Sequence, residues 1–437
     1  MAVHPSRVIR GRTTRLLEGR RVLVGVSGSI AAVEVPKIVR ELIRHGADVN
    51  AVMSAEATRI VTPEALEFAT GHPAVTQLTG NVEHVTLLGP GEDRVSLYLI
   101  APATANTISK VAHGIDDTPV TSCASVALGG GVPILIAPAM HAHMAQNPAV
   151  AESLDKLRRW GVGIIPGASA EGEEKIASPE EVAAAVLHRL GRGPWTGRSV
   201  VVIGGASREP LDAVRSITNE SSGTTAVALA TQAHFRGAEV ELWAGAMQVP
   251  VPPYLARRSW RSVGDLVALA REHRSALASA AAIFVPAALS DFTLEPRSGK
   301  IASRGQPQLA LTLTRAPKVL TELRRWAPPP TRLVGFKLLA GEAARRLEEE
   351  GEALRAESGV DWVVANDIAS MGSTSTEALV IGRGTVPHWI RGPKIEFAGL
   401  LLDEVGRDLA NLDPVSPATP RGAAPRHRTA RRRVRGH

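Results

Sequence analysis

The chain has 437 residues, 44% hydrophobic and only 3% aromatic, with a formal charge of +7 and a single cysteine. One cysteine excludes an internal disulfide and any multi-cysteine metal site, as expected in a reducing cytoplasm. The positive charge defines no nucleic-acid protein, because residues 421–437, RGAAPRHRTARRRVRGH, hold seven arginines and no acid, so the rest sums to zero. Such a basic tail, taken as 413–437, is expected to be disordered and weakly attractive to polyanions. No apolar run reaches the ~18 residues of a membrane span, and MAVHPSRVIRGRTTRLLEGRR lacks the apolar centre of a signal peptide. Neither a membrane nor a specific nucleic acid is expected as a partner.

After an extension at 1–19, RRVLVGVSG reads as a strand, IAAVEVPKIVRELIRHG as a helix and ADVNAVMS as a strand. VSLYLIAPA and VPILIAPAM follow as strands with helices between them. Apolar runs alternating with helical patterns predict a parallel sheet wrapped by helices, here over 20–190. GRGPWTGR, 191–198, is the expected linker, because the alternation restarts at SVVVIGG. EVELWAG, AAIFVPAA, RLVGFKLL and DWVVAND then read as strands, with REHRSALASA, KVLTELRRWA and GEAARRLEEEGEALRAESG among the helices. The predicted fold class is α/β, two doubly wound Rossmann-like domains, the second over 199–412.

Three strand ends in the first half carry chemistry. VSGSIAA can bring backbone N–H groups and a helix N-terminus to an anion, while LIAPATANTISKVAHG and ILIAPAMHAHM add small residues and hydroxyls. In open parallel sheets that edge is where ligands lie. In the second half, SREPLDAVRSITNESSG, 207–223, packs charge and hydroxyls between a strand and a helix, offering donors to a phosphate.

VSGSIAA, APATANTISKVAHG, DDTPVTS and APAMHAHM together resemble the flavin-dependent decarboxylases of peptidyl or pantothenoyl cysteine, which implies a flavodoxin-like domain that binds FMN. The resemblance implies that Gly28, Ser29, Ile30, Ser54, Ala101, Thr104 and Asn106 line the flavin site, that His84 is catalytic and that His141 contacts the substrate carboxylate. SREPLDAVRSITNESSG, followed by SDF, GKIAS, FK and AND, resembles the phosphopantothenate–cysteine ligases. That likeness implies catalytic roles for Asn219 and Lys300 and substrate contacts from Arg215, Ser221, Ser222 and Gly223. It implies nucleotide contacts from Asp291, Lys300, Pro317, Phe336 and Asn366. Over about residues 20–412 the chain resembles the bifunctional coenzyme A biosynthesis enzymes. The implied substrates are 4′-phosphopantothenate, cysteine and CTP or ATP, with Mg²⁺ screening the phosphates. The resemblance also implies a homo-oligomer, a dodecamer built from trimers and dimers.

This chain departs from the family pattern in places. PAMH replaces PAMN at His141, and GASAEGEEKIAS lacks the family's flap cysteine, leaving only acids such as Glu171 and Glu173 there. In the ligase half, IGGAS, GTTA and KIAS replace the usual T-A-G-P-T, G-K-M-G and K-x-K-K, and the helix before AND keeps Arg355 but loses its lysines. One inactive half, or a non-catalytic flavoprotein serving as a regulatory subunit, therefore stay open as readings.

Overall fold

Residues that are apolar on both faces can only be satisfied inside a covered sheet, and the first half supplies them. The computed structural model describes residues 4–412 except 168, 171–172, 303–307 and 342–343 and the side chains of 169, 170, 173, 174 and 412. Five parallel strands, β1 (Arg21–Val26), β2 (Asp48–Met53), β3 (Leu97–Ala103), β4 (Ile134–Pro138) and β5 (Gly163–Ile164), lie in the order β2-β1-β3-β4-β5. Every residue of β3 is buried, so no alternation of polar and apolar residues appears along it. The order reverses between β1 and β3, the flavodoxin-like arrangement, which opens a crevice at the strands' carboxyl ends. The helix expected from Ile30 is broken into a 3₁₀ turn, Ile30–Glu34, and an α-helix, Val35–Arg44. Pro36 explains the break: it suits a first helical turn and cannot donate to a preceding one.

The second half forms an eight-stranded sheet of β6 (Ser199–Gly204), β7 (Glu239–Ala244), β8 (Ala256–Ser259), β9 (Ala282–Val285), β10 (Arg332–Leu339), β11 (Trp362–Asp367), β12 (Ser375–Gly382) and β13 (His388–Pro393). Their order is β8-β7-β6-β9-β10-β11-β12-β13. The first six are parallel with the reversal between β6 and β9, as in a Rossmann sheet. The last two are antiparallel, an extension the sequence did not announce. β12 begins exposed and only its last five residues are buried, so its STEALVIG shows a strand period over too short a stretch. The chain divides into two units between Ala183 and Ala184, inside the helix Pro179–Leu190. No helix among the described residues is long and apolar enough to cross a membrane.

One face of the second sheet is covered by helices Thr224–Phe235 and Lys394–Leu412. The last helix is fastened from several directions. Trp195, 1% exposed, donates from Nε1 to Leu402 O at 3.0 Å. Arg332 grips Asp408 through two hydrogen bonds of 2.6 and 3.1 Å, and Arg236 donates to Gly399 O at 3.1 Å and to Asp403 at 3.0 Å. Trp195→Ala removes a large buried ring and the indole hydrogen bond to the helix at Leu402 O, at an expected cost of about 3–5 kcal/mol. Scanning calorimetry should show a lower midpoint for Trp195→Ala and partial recovery in Trp195→Phe; an unchanged midpoint would count against this anchoring.

Candidate functional site

In the first unit, Ser27 ties two strand ends together. Buried beneath the first turn, its Oγ donates to Pro102 O at 2.7 Å and accepts from Thr104 N at 3.0 Å. That clamp sets the turn after β1 beside the turn after β3, and the sequence reading did not single Ser27 out. Gly28 must be a glycine here, because a Cβ would collide with the Cβ of Glu56. Ser29 caps the 3₁₀ turn by accepting from Ala31 N, and Thr104 caps helix Ala105–His113 by accepting from Thr107 N at 3.2 Å. Two helix N-termini are thereby aimed from adjacent strand ends, the arrangement that suits a phosphate-bearing ligand. Ser54 is buried, donates from its amide to Val26 O and receives Ala57 N. Glu56 beyond it has a carboxyl held below the ordinary range by its own amide and by the Ser54 hydroxyl.

The remaining expected flavin residues are placed unequally. Ile30 is 77% exposed and Asn106 is exposed, whereas Ala101 is fully buried within β3 and presents no surface. His84 lies on the short helix Glu83–Leu88, with Nδ1 buried and without a hydrogen-bond partner. Thr79 secures that helix by donating to Glu83 from its hydroxyl at 2.5 Å and its amide at 2.9 Å, and its hydroxyl is the main cause lowering the Glu83 pKa. A buried ring nitrogen with no protein partner is a group awaiting one. His141 is exposed, caps the short helix Ala142–Ala145 and stacks on His143, ring centroids 5.1 Å apart. Residue 171 and the side chain of Glu173 lie outside the described residues. Cys123 is buried in helix Pro119–Gly130, and burial pushes its thiol up to about 12, which removes it as a thiolate.

In the second unit the 207–223 segment divides into scaffold and site. Glu209, 1% exposed, accepts from Val263 N and from Thr293 Oγ1, both at 2.9 Å. Asp212 accepts from Val214 N at 2.8 Å, Arg215 N at 2.7 Å and Ile301 N at 3.1 Å. Both carboxylates are thus spent on the protein's own framework. Arg215 lies 3.3 Å from Asp212 and donates to Ile301 O at 3.3 Å. Ala213 N donates to Gly299 O, so the backbone on both sides of Lys300 is held while Lys300 itself is exposed. Ser207, fully buried, accepts Ser290 N at 3.0 Å and receives Thr218 Oγ1 on its carbonyl at 2.7 Å. Asn219 Nδ2 then donates to Leu289 O at 3.0 Å.

These ties bring Asn219, Asp291, Pro317 and Phe336 onto the wall of one cleft of about 880 Å³. Lys318 and Lys337 also line it, and the exposed Lys318 ammonium lies 3.1 Å from Asp291. A smaller hollow of about 150 Å³ is lined by Ser221, Ser222, Gly223, Phe336 and Asn366. Phe336 therefore belongs to both. Gly223 has a φ of 79° and no room for a Cβ, which would fall 2.7 Å from Met247 Cγ. Neither Lys300 nor Arg215 lines either space among the described residues. No cluster of three His, Cys, Asp or Glu suited to a metal occurs among them either.

Two open α/β sheets, each with hydroxyls, amides and a helix N-terminus at the crevice beside its point of reversal, define a two-domain protein with a ligand crevice at each sheet. Residues 10–191 match the family described as Flavoprotein, and 195–409 match the C-terminal domain of DNA/pantothenate metabolism flavoproteins. The coenzyme A biosynthesis bifunctional protein CoaBC of Thermococcus kodakarensis is 40% identical over 93% of this chain and 100% of its own length. That of Methanocaldococcus jannaschii is 35% identical over 92% of this chain and 97% of its own. The solved C-terminal domain of a CoaBC protein is 22% identical, with a TM-score of 0.41 over 50% of this chain and 100% of its own. The chain belongs to the CoaBC family of bifunctional coenzyme A biosynthesis proteins, a family of flavoproteins that joins the expected decarboxylase and ligase in one polypeptide.

Asp212 makes the scaffold testable by pH. The amide of Val214 is the main cause holding its carboxyl below the ordinary 3.8. A lowered folded pKa means that the carboxylate's stabilisation is complete above about 3.8 and fades as the pH falls through the folded value. The difference in urea midpoint between the wild type and Asp212→Asn should therefore be largest near neutrality and shrink in acid. A difference independent of pH would show that the charge does not fasten this loop.

Proposed function

We propose that the second unit activates 4′-phosphopantothenate with a nucleoside triphosphate, CTP before ATP, and joins the acyl nucleotide to cysteine. The substrate carboxylate attacks the α-phosphorus, pyrophosphate leaves, and the cysteine amine then displaces the nucleotide. The observation that carries this reading is the cleft shared by Asn219, Asp291, Pro317 and Phe336. Asn219 keeps an Oδ1 and a second N–H after its bond to Leu289 O, enough to steady a polar intermediate. Lys300, on a loop held at 299 and 301, would neutralise charge on the departing pyrophosphate, and Mg²⁺ would reach the site on the phosphates. Ser221, Ser222 and Gly223 would hold a phosphate, and Arg215 and Asn366 would complete the substrate and nucleotide contacts.

The first unit in this reading is the decarboxylase of the ligated product. The fit of its residues to FMN rests on the glycine cradle at Gly28, the capped turns at Ser29 and Thr104, and the exposed Ile30 and Asn106. Bound FMN supplies reversible two-electron exchange with the substrate thiol. His84 would hold a substrate proton or oxygen at its unpaired Nδ1, and His141 would donate a hydrogen bond to the carboxylate in place of an asparagine. Exposed Ile30, Val33, Val82 and Val85 support burial against further copies of the chain in a homo-oligomer, in keeping with a dodecamer in the cytoplasm.

Mass spectrometry of the purified protein with 4′-phosphopantothenate, cysteine, Mg²⁺ and either CTP or ATP tests both halves. The expected product is 4′-phosphopantetheine, with CTP preferred. His84→Ala should stop at 4′-phosphopantothenoylcysteine, slowing decarboxylation by about 10²–10⁴-fold while ligation continues. No ligated product with either nucleotide would defeat the ligase reading. Gly28→Val, which drives a side chain into Glu56, should lower the bound flavin measured by visible absorption, and full flavin loading would move the flavin site elsewhere.

A further inference from the structure

Two imidazoles and a phenol form a short column in the second unit, where the helix Pro179–Leu190 ends. His188 stacks on His234 with ring centroids 4.4 Å apart and planes within 13°, and His234 stacks in turn on Tyr254 at 4.9 Å and 26°. Tyr254 is partly buried against the core of this unit. His188 Nδ1 donates to His234 O at 3.2 Å, which places the hydrogen on that nitrogen. Just beyond, Gly197 N donates to Gly237 O at 2.8 Å, and Gly191 passes so close to Arg236 that a Cβ would fall 2.5 Å from its carbonyl carbon. The helix end and the 191–197 segment are thereby seated on the turn that closes the helix Thr224–Phe235. None of the three rings lines either ligand space of this unit.

The middle ring of the column cannot accept a proton where it stands. His234 Nε2 is buried and has no hydrogen-bond partner. A neutral imidazole can leave that nitrogen as a bare acceptor, whereas an imidazolium must carry N–H on both nitrogens and would bury a charged donor with nothing to receive it. Burial first, and then the charge on His188, hold the His234 pKa down to about 4. The groups nearby offer no relief. His188 can take a charge of its own, since its Nε2 lies 3.7 Å from Glu239 Oε1 at the start of β7. Arg236 is bound to Gln232 O, Gly399 O and, on the last helix, Asp403. Glu241 of β7 accepts from Trp243 Nε1 at 2.7 Å, and Arg189 and Arg192 are exposed. β6 and β9, on which the helix Thr224–Phe235 also packs, contain no titratable side chain.

We propose that the stacked His188–His234–Tyr254 column is an acid-released clasp that holds the end of the helix Pro179–Leu190 and the 191–197 segment on the second unit. While His234 is neutral, the three rings stack and its carbonyl receives His188. A proton on His234 belongs to the open form, in which both ring nitrogens reach water, so acid lifts the segment from the turn at 234–237. Above the ordinary 6.5 both forms are neutral and the clasp is at full strength. Between 6.5 and about 4 the open form takes a proton that the closed form refuses, which favours opening about tenfold per pH unit. Below about 4 both forms carry the proton and the change stops.

Hydrogen exchange of the full chain, read by mass spectrometry and corrected for the intrinsic pH dependence of amide exchange, tests the clasp in peptides spanning 186–200 and 232–240. Between pH 7.5 and 5.0 their protection should fall about thirtyfold in the wild type, while β11, inside the same sheet, keeps its own. His234→Phe keeps a stacking ring and removes the orphaned nitrogen, so it should be as well protected at pH 5.0 as at 7.5. His234→Leu takes its place, with the same expectation, should the phenylalanine variant fail to fold. A wild type whose protection does not change with pH overturns the proposal. So does a fall shared by β11, which is the unfolding of the whole sheet, and so does a fall that persists in His234→Phe, which puts the responsible proton on another group.

Discussion

The second unit's site hangs on one buried carboxylate. Asp212 receives amides from its own turn, Val214 and Arg215, and from Ile301, far along the chain. An ionised oxygen accepting several N–H groups is among the stronger interactions available to a loop, and here it fixes two loops at once. The segment carrying Lys300 is positioned through its backbone while the lysine side chain stays exposed. Glu209 does the corresponding work toward the helix start at Val263 and the strand at Thr293. The charges of the polar loop thus satisfy amides that would otherwise need water, and its hydroxyls at Ser221 and Ser222 accept from Gly223 N and Thr224 N at the start of the next helix.

The first unit reaches a similar end with a neutral group. A single hydroxyl, that of Ser27, links the ends of β1 and β3 by donating to one and accepting from the other. The reversal of strand order opens the crevice, and the serine holds its two lips in register. Glycine at 28 then lets the chain pass Glu56 at a distance no side chain would tolerate. Each crevice is thus fixed by one buried polar residue and widened by a missing side chain.

Much of this was legible in the sequence. Runs such as SVVVIGG and RLVGFKLL must be covered on both faces, so the parallel sheets followed, and the residues expected at Asn219, Asp291, Pro317 and Phe336 do meet in one cleft. Less legible was the division of labour within REPLDAVR. A carboxylate in a polar loop looks the same whether it faces a ligand or accepts an amide from a distant segment, and only the fold reveals that Glu209 and Asp212 are spent internally. The antiparallel strands β12 and β13 escaped because their buried runs are short, and Ser27 because one serine in a turn carries no pattern.

The final helix has a consequence for how the protein is made. Chains emerge from the ribosome from the N-terminus and domains fold as they appear, so the sheet ending at Ile164 can close early. The hollow beside Ser221 cannot, since its wall at Lys394 and the fastening of Trp195 to Leu402 arrive near the end of the described chain. During synthesis the flavoprotein unit precedes its neighbour, and β6 to β11 must wait with one apolar face covered only by the helix Thr224–Phe235 until the last helix is released. Docking of Phe397, Leu401, Leu402 and Val405 onto that face ends the interval, and the hydrogen bonds from Trp195, Arg236 and Arg332 hold the helix there.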